Sequence, residues 1–315
     1  MFFKFVIRRV LFSIPTIVGI VTVAFLLGKL IPGDPAVAAL GLDLDGASTV
    51  SQEELERVRT ELGLDRPVIV QYMSWFGDAL QGDLGRSSVN RESVTALILR
   101  AFPNTMFLLL TTISTAALIG ISLGVFSALH RGKSADLVAR LVTIIGVSTP
   151  PFWLALVLIL VFAFNLNLFP MNGSVAEHGW IALVLPTASI ALQPAALIAR
   201  MSRSSMLEVL SQDMIRTATA KGLSRWRIIL RHGLPNALSP VITVIGFQFA
   251  NLMGGAVAIE VLFGMPGLGS LLINAIFEND LKVIQGVVVI VGITFAVTNL
   301  AVDLLYSVID PRIKL

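Results

Sequence analysis

The chain has 315 residues, of which 55% are hydrophobic and 14% charged, with a formal net charge of +3 and no cysteine. Apolar residues gathered in long runs place it among polytopic helical membrane proteins, and the missing cysteine excludes a disulfide framework, a thiol nucleophile and a cysteine metal site. The small basic excess is then charge held at one membrane face rather than a nucleic-acid footprint.

A span needs roughly 20 predominantly apolar residues. Six candidates follow one another: Val10–Ile31, Asn104–Leu129, Leu137–Leu166, Trp180–Ala199, Leu238–Leu262 and Val283–Ile309. The first follows Lys4, Arg8 and Arg9 and precedes Ala36-Val37-Ala38, an arrangement that also resembles a secretory signal. Its apolar run is longer than the roughly 7–15 residues of a signal h-region, which favours an uncleaved helix.

The segment from Pro32 to Pro103 reads as helical. Ser51 and Glu54 form a capping-box pattern, Leu55, Val58 and Leu62 share a face, and Gly63 stands at the expected stop. Pro67 opens a second amphipathic helix carrying Tyr72, Trp75 and Phe76. Both helices are expected at the outer membrane surface, as a lid or as a landing place for a partner.

In the second span Gly120 and Gly124 form a G-x-x-x-G pattern that admits close helix approach. Gly132-Lys133-Ser134 looks like the end of a phosphate-binding loop, but Ser127 stands where its first glycine belongs and no strand precedes it, so no ATP site is expected. Pro150 and Pro151 allow a break in the third span, and Pro186 and Pro194 are expected to kink the fourth. His130, His178 and His232 are isolated in aqueous segments, which argues against an intramembrane hydrolase and leaves no catalytic, metal or cofactor residue to name.

A basic stretch, RTATAKGLSRWRIILRHGLPNAL, joins the fourth and fifth spans. Met206, Leu207, Leu210 and Met214 mark one amphipathic helix that Gly222 ends in a left-handed turn. Ser224 then caps a second, in which Leu223, Trp226, Leu230 and Leu234 cluster beside Arg227 and Arg231, and Pro235 redirects the chain into the membrane. Either an interfacial helix on anionic lipid or a docking element for a cytoplasmic partner fits this pattern.

In the fifth span Gln248, Asn251 and Gly255 share a face, as do Asn299 and Asp303 in the sixth. These polar residues either line a translocation path or bond neighbouring helices. Glu260 is expected near the outer face, hydrated. With the amino terminus inside, Lys and Arg collect on cytoplasmic segments and acids such as Glu53, Glu54 and Asp65 outside, so both termini are expected in the cytoplasm.

The basic stretch resembles the E-A-A-x3-G-x9-I-x-L-P loop of ABC-importer permeases through Arg216, Thr217, Ala218, Gly222, His232 and Leu234-Pro235. Arg216, Thr217 and His232 depart from its consensus, in the manner of the dipeptide and oligopeptide branch. "IPGDP", "LGLDRPVIVQY", "GDLGRS", "STPPFW", "GGAVAIEVLFGMPGLG" and "DPRIKL" extend the resemblance over almost the whole chain.

The resemblance implies an all-α, six-helix permease of the type I ABC-importer fold in a bacterial or archaeal cell membrane. Its implied parts are an N-terminal span with an extracytoplasmic helical segment (1–93), a permease domain (94–307) with a coupling loop at 200–235, and a short tail (308–315). It also implies a second permease, two ATPase subunits that hold ATP and Mg, and a solute-binding protein that delivers peptide. Asp213, Arg216, Thr217, Ala218, Lys221, Gly222, Leu223, Arg225, Leu234 and Pro235 would form the ATPase-coupling loop. Gln248, Asn251 and Gly255 would line the path. A nickel chelate or glutathione as cargo, or an ion-coupled secondary transporter, are the alternatives.

Overall fold

A computed structural model describes residues 2–30, 36–37, 51–61 and 63–309. The described residues are helical apart from turns, loops and one isolated bridge between Arg86 and Ser93. In chain order the elements are α1 (Phe2–Leu30), α2 (Gln52–Glu61), α3 (Val68–Leu80), α4 (Val94–Leu129), α5 (Ser134–Ser148), α6 (Pro151–Leu158), α7 (Val175–His178), α8 (Val184–Leu210), α9 (Asp213–Ala220), α10 (Arg225–Ile228), α11 (Leu234–Leu262), α12 (Leu268–Phe277) and α13 (Leu281–Ile309). The motifs at 31–35 and 310–315, and the side chain of Asp303, lie outside the described residues.

Among the described residues five helices are long and apolar enough to cross a membrane, and α5 with α6 and its π-helical continuation Ile159–Asn165 form a bent apolar pair that makes six if counted as one broken span. The pair bends by 98° at Thr149-Pro150. Pro151 has no N–H to give back to the preceding turn, and Pro150 holds an extended backbone, so the break falls where the sequence allowed it. In α8 the two prolines behave differently. Pro186 is the third helical residue, where a missing donor costs nothing, and Pro194 lies inside an otherwise continuous helix.

The chain forms two compact units. One comprises residues 10–104 and 266–296. In it α1 meets α3 and α13 through buried Val21, Ala24, Phe25, Trp75 and Val289, and Gln285 donates from Nε2 to the Ala24 and Phe25 carbonyls. The Tyr72 hydroxyl bonds Thr22 at 2.8 Å, and Gly63, at φ 65°, follows the end of α2. Glu54 N–H donates to the Ser51 hydroxyl at 3.3 Å, and Pro67 stands at the N-cap of α3, as the sequence suggests.

The other unit comprises residues 1–9, 105–265 and 297–315. Its centre is α8, the most enclosed of the spans, which packs against α5, α6 and α11. The G-x-x-x-G of α4 has a direct reason. A Cβ at Gly120 would lie 2.6 Å from the Ala195 carbonyl oxygen, and one at Gly124 would lie 2.4 Å from that of Ala199. Only glycine permits that approach of α4 to α8.

One sequence expectation fails here. Glu260 is fully buried rather than hydrated, and it accepts a hydrogen bond from Thr105 Oγ1 at 2.6 Å. A carboxylate inside an apolar bundle is tolerable only with such donors. The ten-residue helix α12 was also not foreseen, because it is too short for a span and sits behind a Gly/Pro-rich stretch.

Candidate functional site

The segment between α8 and α11 is built from the inside outward. α8 runs to Leu210, and Ser211-Gln212 break the helix before α9 begins at Asp213. Met206, Leu207 and Leu210 therefore belong to the end of the span, and the separate amphipathic helix is only eight residues long. Met214, which continues the spacing of Met206, Leu207 and Leu210 in the sequence, is 39% exposed, and α9 instead buries Ile215 and Ala218.

α9 ends in a Schellman motif. The Gly222 N–H donates to Thr219 O at 2.9 Å, the Leu223 N–H donates to Ala218 O at 3.3 Å, and Gly222 holds φ at 75°. The half-buried Leu223 packs in the same cluster as Ala218, which completes the motif. Ser224 then takes the extended N-cap position of α10, but its hydroxyl makes no cap bond.

Ile215, Ala218, Ile228 and Ile229 are buried against Ala128, Met206, Val209 and Ala237, so the helix, turn and helix is anchored on the ends of α4, α8 and α11. The Arg225 guanidinium reaches the Leu129 carbonyl at 3.4 Å. The predicted cluster of Leu223, Trp226, Leu230 and Leu234 does not form: Trp226 is 68% and Leu230 59% exposed. The π-helical turn Ile229–Gly233 shifts the phase of Leu234 relative to Leu223 and Trp226, which precede it.

Pro235 follows directly on that turn. It offers no N–H to the Arg231 carbonyl four residues back, and next to it the Asn236 side chain donates to His232 O at 2.7 Å. The chain is not redirected at Pro235; helix continues from Arg225 to Leu262. The outward face is polar and basic, with Asp213, Arg216, Thr217, Lys221, Gly222, Arg225 and Arg227 exposed. Asp213 and Arg216 pair at 3.4 Å, a solvated i,i+3 contact.

On α11 the three polar-path residues differ. Asn251 and Gly255 are exposed, in line with Phe247, Ala258 and Val261, whereas Gln248 is half-buried at the edge of that stripe. A Cβ at Gly254 or Gly255 would touch nothing within 4 Å. Neither Gln248 nor Asn251 bonds another described residue, so interhelical bonding within this chain does not explain them.

One constellation escaped the sequence. Asp136, 1% exposed, receives Arg203 Nε at 2.8 Å and Nη2 at 2.9 Å, the Ser127 hydroxyl at 2.6 Å and the Gly132 N–H at 3.1 Å. The bidentate pair ties α8 to the start of α5 and to the Gly132 turn, which holds φ at 77°. Gly132-Lys133-Ser134, set aside as a phosphate loop, is thus a helix connection that delivers an N–H to a carboxylate. The sequence signal was an acid beside Arg131, Lys133 and Arg140, but its partner lies 67 residues away. No group of three or more metal-binding side chains occurs among the described residues.

Residues 120–315 match the family described as binding-protein-dependent transport system inner membrane component, and residues 2–109 match the corresponding N-terminal family. The oligopeptide transport system permease protein AppB of Bacillus subtilis (strain 168) is 39% identical over 318 residues, covering 98% of this chain and 99% of that protein. The glutathione transport system permease protein GsiC of Escherichia coli O6:H1 is 37% identical over 311 residues, covering 99% of both. Among solved structures, an inward-facing conformation of the MetNI methionine ABC transporter superposes with a TM-score of 0.58 at 19% identity, covering 68% of this chain and 96% of that one, a likeness of fold.

Proposed function

The chain belongs to the binding-protein-dependent transport system inner membrane components and is a multi-pass permease subunit of an ABC importer in the cell membrane; from that premise we propose that it carries peptides and is driven through the turn at Gly222. The family is one of membrane subunits rather than enzymes. In this reading ATP and Mg are held by two partner ATPases, and a second permease completes the path. A solute-binding protein presents the cargo on the other side, and both termini face the cytoplasm. Residues 94–307 form the permease domain, residues 1–93 the appended span and outer segment, and 308–315 the tail.

The observation that carries this reading is the combination of a fixed base and a free face. Ile215, Ala218, Ile228 and Ile229 fasten the α9–α10 elbow to three spans, while Arg216, Lys221 and Arg227 project outward. An elbow so fastened transmits a push from a nucleotide-driven partner into α8 and α11. Asn251 and Gly255, unpartnered on an open stripe of α11, serve as path lining together with Gln248. Peptide is the proposed cargo because the oligopeptide relative matches from end to end, with glutathione, for which the other relative is named, as the alternative.

Gly222→Pro tests the elbow, because proline cannot adopt φ 75° and removes the donor to Thr219. In the reconstituted complex, substrate-stimulated ATP hydrolysis is expected to be lost while membrane insertion persists, and Gly222→Asn is expected to retain most of it. Unchanged stimulation in the proline variant would refute the coupling role. Uptake in vesicles that requires ATP and survives an uncoupler separates this mechanism from ion-driven transport.

A further inference from the structure

A cavity of about 340 Å³ opens between α4, α5 and α8. Three arginines, Arg140, Arg200 and Arg203, reach into it, and its remaining walls include Leu123, Thr143 and Ile144. Charge does not balance inside it. Asp136 holds Arg203 in the bidentate pair and stands 3.7 Å from Arg140, while Arg200 is exposed and bonds no described residue. Three guanidinium groups against one carboxylate leave an excess of about two positive charges.

The surroundings are graded. Arg140 is the seventh residue of α5, about 9 Å along the helix from its start. Beyond it the same helix presents Leu141, Ile144 and Ile145, each at least 49% exposed. A cationic end at the membrane surface, continued by an uncovered aliphatic strip toward the hydrocarbon, is complementary to a molecule with an anionic head and acyl tails.

We infer that this cavity is a binding site for the phosphate head of an anionic phospholipid, with Arg140 and Arg200 as the contacting groups, Arg203 held in place by Asp136, and the tails lying along Leu141 and Ile144. The leaflet is the one on the side of the Asp213–Gly233 segment, because the Arg225 contact to Leu129 brings that segment to the same end of α4. Phosphate supplies the charge that the cavity lacks. The aliphatic strip distinguishes a lipid from a free phosphate ion.

The test uses the whole importer in nanodiscs of mixed phosphatidylglycerol and phosphatidylcholine, with lipid retained after mild detergent release read by native mass spectrometry. The wild-type complex is expected to retain phosphatidylglycerol over phosphatidylcholine, and the Arg140→Gln/Arg200→Gln variant at least about tenfold less of it. Excess inorganic phosphate is expected not to displace the lipid; displacement would identify a free-ion site and overturn the proposal. No enrichment in the wild type, equal retention by the variant, or capture of the second permease by a photoreactive group at Ile144 would each overturn it as well. Because the readout is lipid and not transport, its failure leaves the peptide-import reading intact.

Discussion

Asp136 and Arg203 form a bidentate pair that joins α5 to α8. Removing Arg203 strips the buried carboxylate of its bidentate partner and leaves only the half-exposed Arg140 at 3.7 Å, so Arg203→Ala is expected to destabilise the protein by about 3 kcal/mol. The double replacement Asp136→Leu/Arg203→Met is expected to recover most of that loss, and a thermal melt of the purified complex compares the two. A double variant no more stable than the single one would show that the pair is held for another reason. Gly124 makes a second prediction at this scale. With a carbonyl oxygen 2.4 Å from its would-be Cβ, Gly124→Val forces α4 away from α8. A cost of about 1–3 kcal/mol or more is expected, visible as a lower melting temperature, whereas Gly254→Ala, with nothing within 4 Å, is expected to be near neutral. The glycines were legible in sequence because spacing of four on a helix is a local signal. The ion pair was not, since nothing near Asp136 points to a residue on another span, and Glu260 was misread because its donor Thr105 is 155 positions away.

Among elements, the spans and the break at Pro150-Pro151 could be read from hydropathy and proline, which act over a few residues. The elbow was read in outline. Gly222 as a left-handed stop follows from its flanking pattern, but the break at Ser211-Gln212 and the π turn at Ile229–Gly233 depend on how α8, α10 and α11 pack. Trp226 tests the outcome. It is 68% exposed, so Trp226→Ala is expected to change the stability of the isolated chain by no more than about 0.5 kcal/mol. An exposed tryptophan on a docking face is the residue type that anchors a partner, and its loss is expected to weaken association with the ATPase subunit by about 2 kcal/mol or more. Titration of purified ATPase against nanodisc-held wild type and variant gives the comparison, and equal affinity would place Trp226 outside the interface.

For the whole molecule, sequence order and spatial grouping diverge. Residues 10–104 share a compact unit with residues 266–296, near the other end of the chain. Ile20 lies against Gly292, and Gln285 bonds two carbonyls of α1, so α13 is built to receive the first helix. A chain beginning at residue 94 would leave Gln285 without those acceptors and Val289 uncovered. Such a truncation is expected to lose monodispersity in detergent, with recovery when residues 1–93 are supplied as a separate polypeptide. Size-exclusion profiles of the two preparations check this, and a monodisperse truncated chain would contradict it. No local pattern announces that grouping, because each partner surface is merely apolar when read alone.

The wider turn at Ile229–Gly233 has one more implication. A π-helical turn holds about one residue more than an α-helical turn, and one residue is about 100° of rotation. The rod from Arg225 to Leu262 therefore has two azimuths, one for its exposed foot and one for its membrane-buried shaft. Substitutions in the foot therefore leave unchanged the aim of the residues that meet α8.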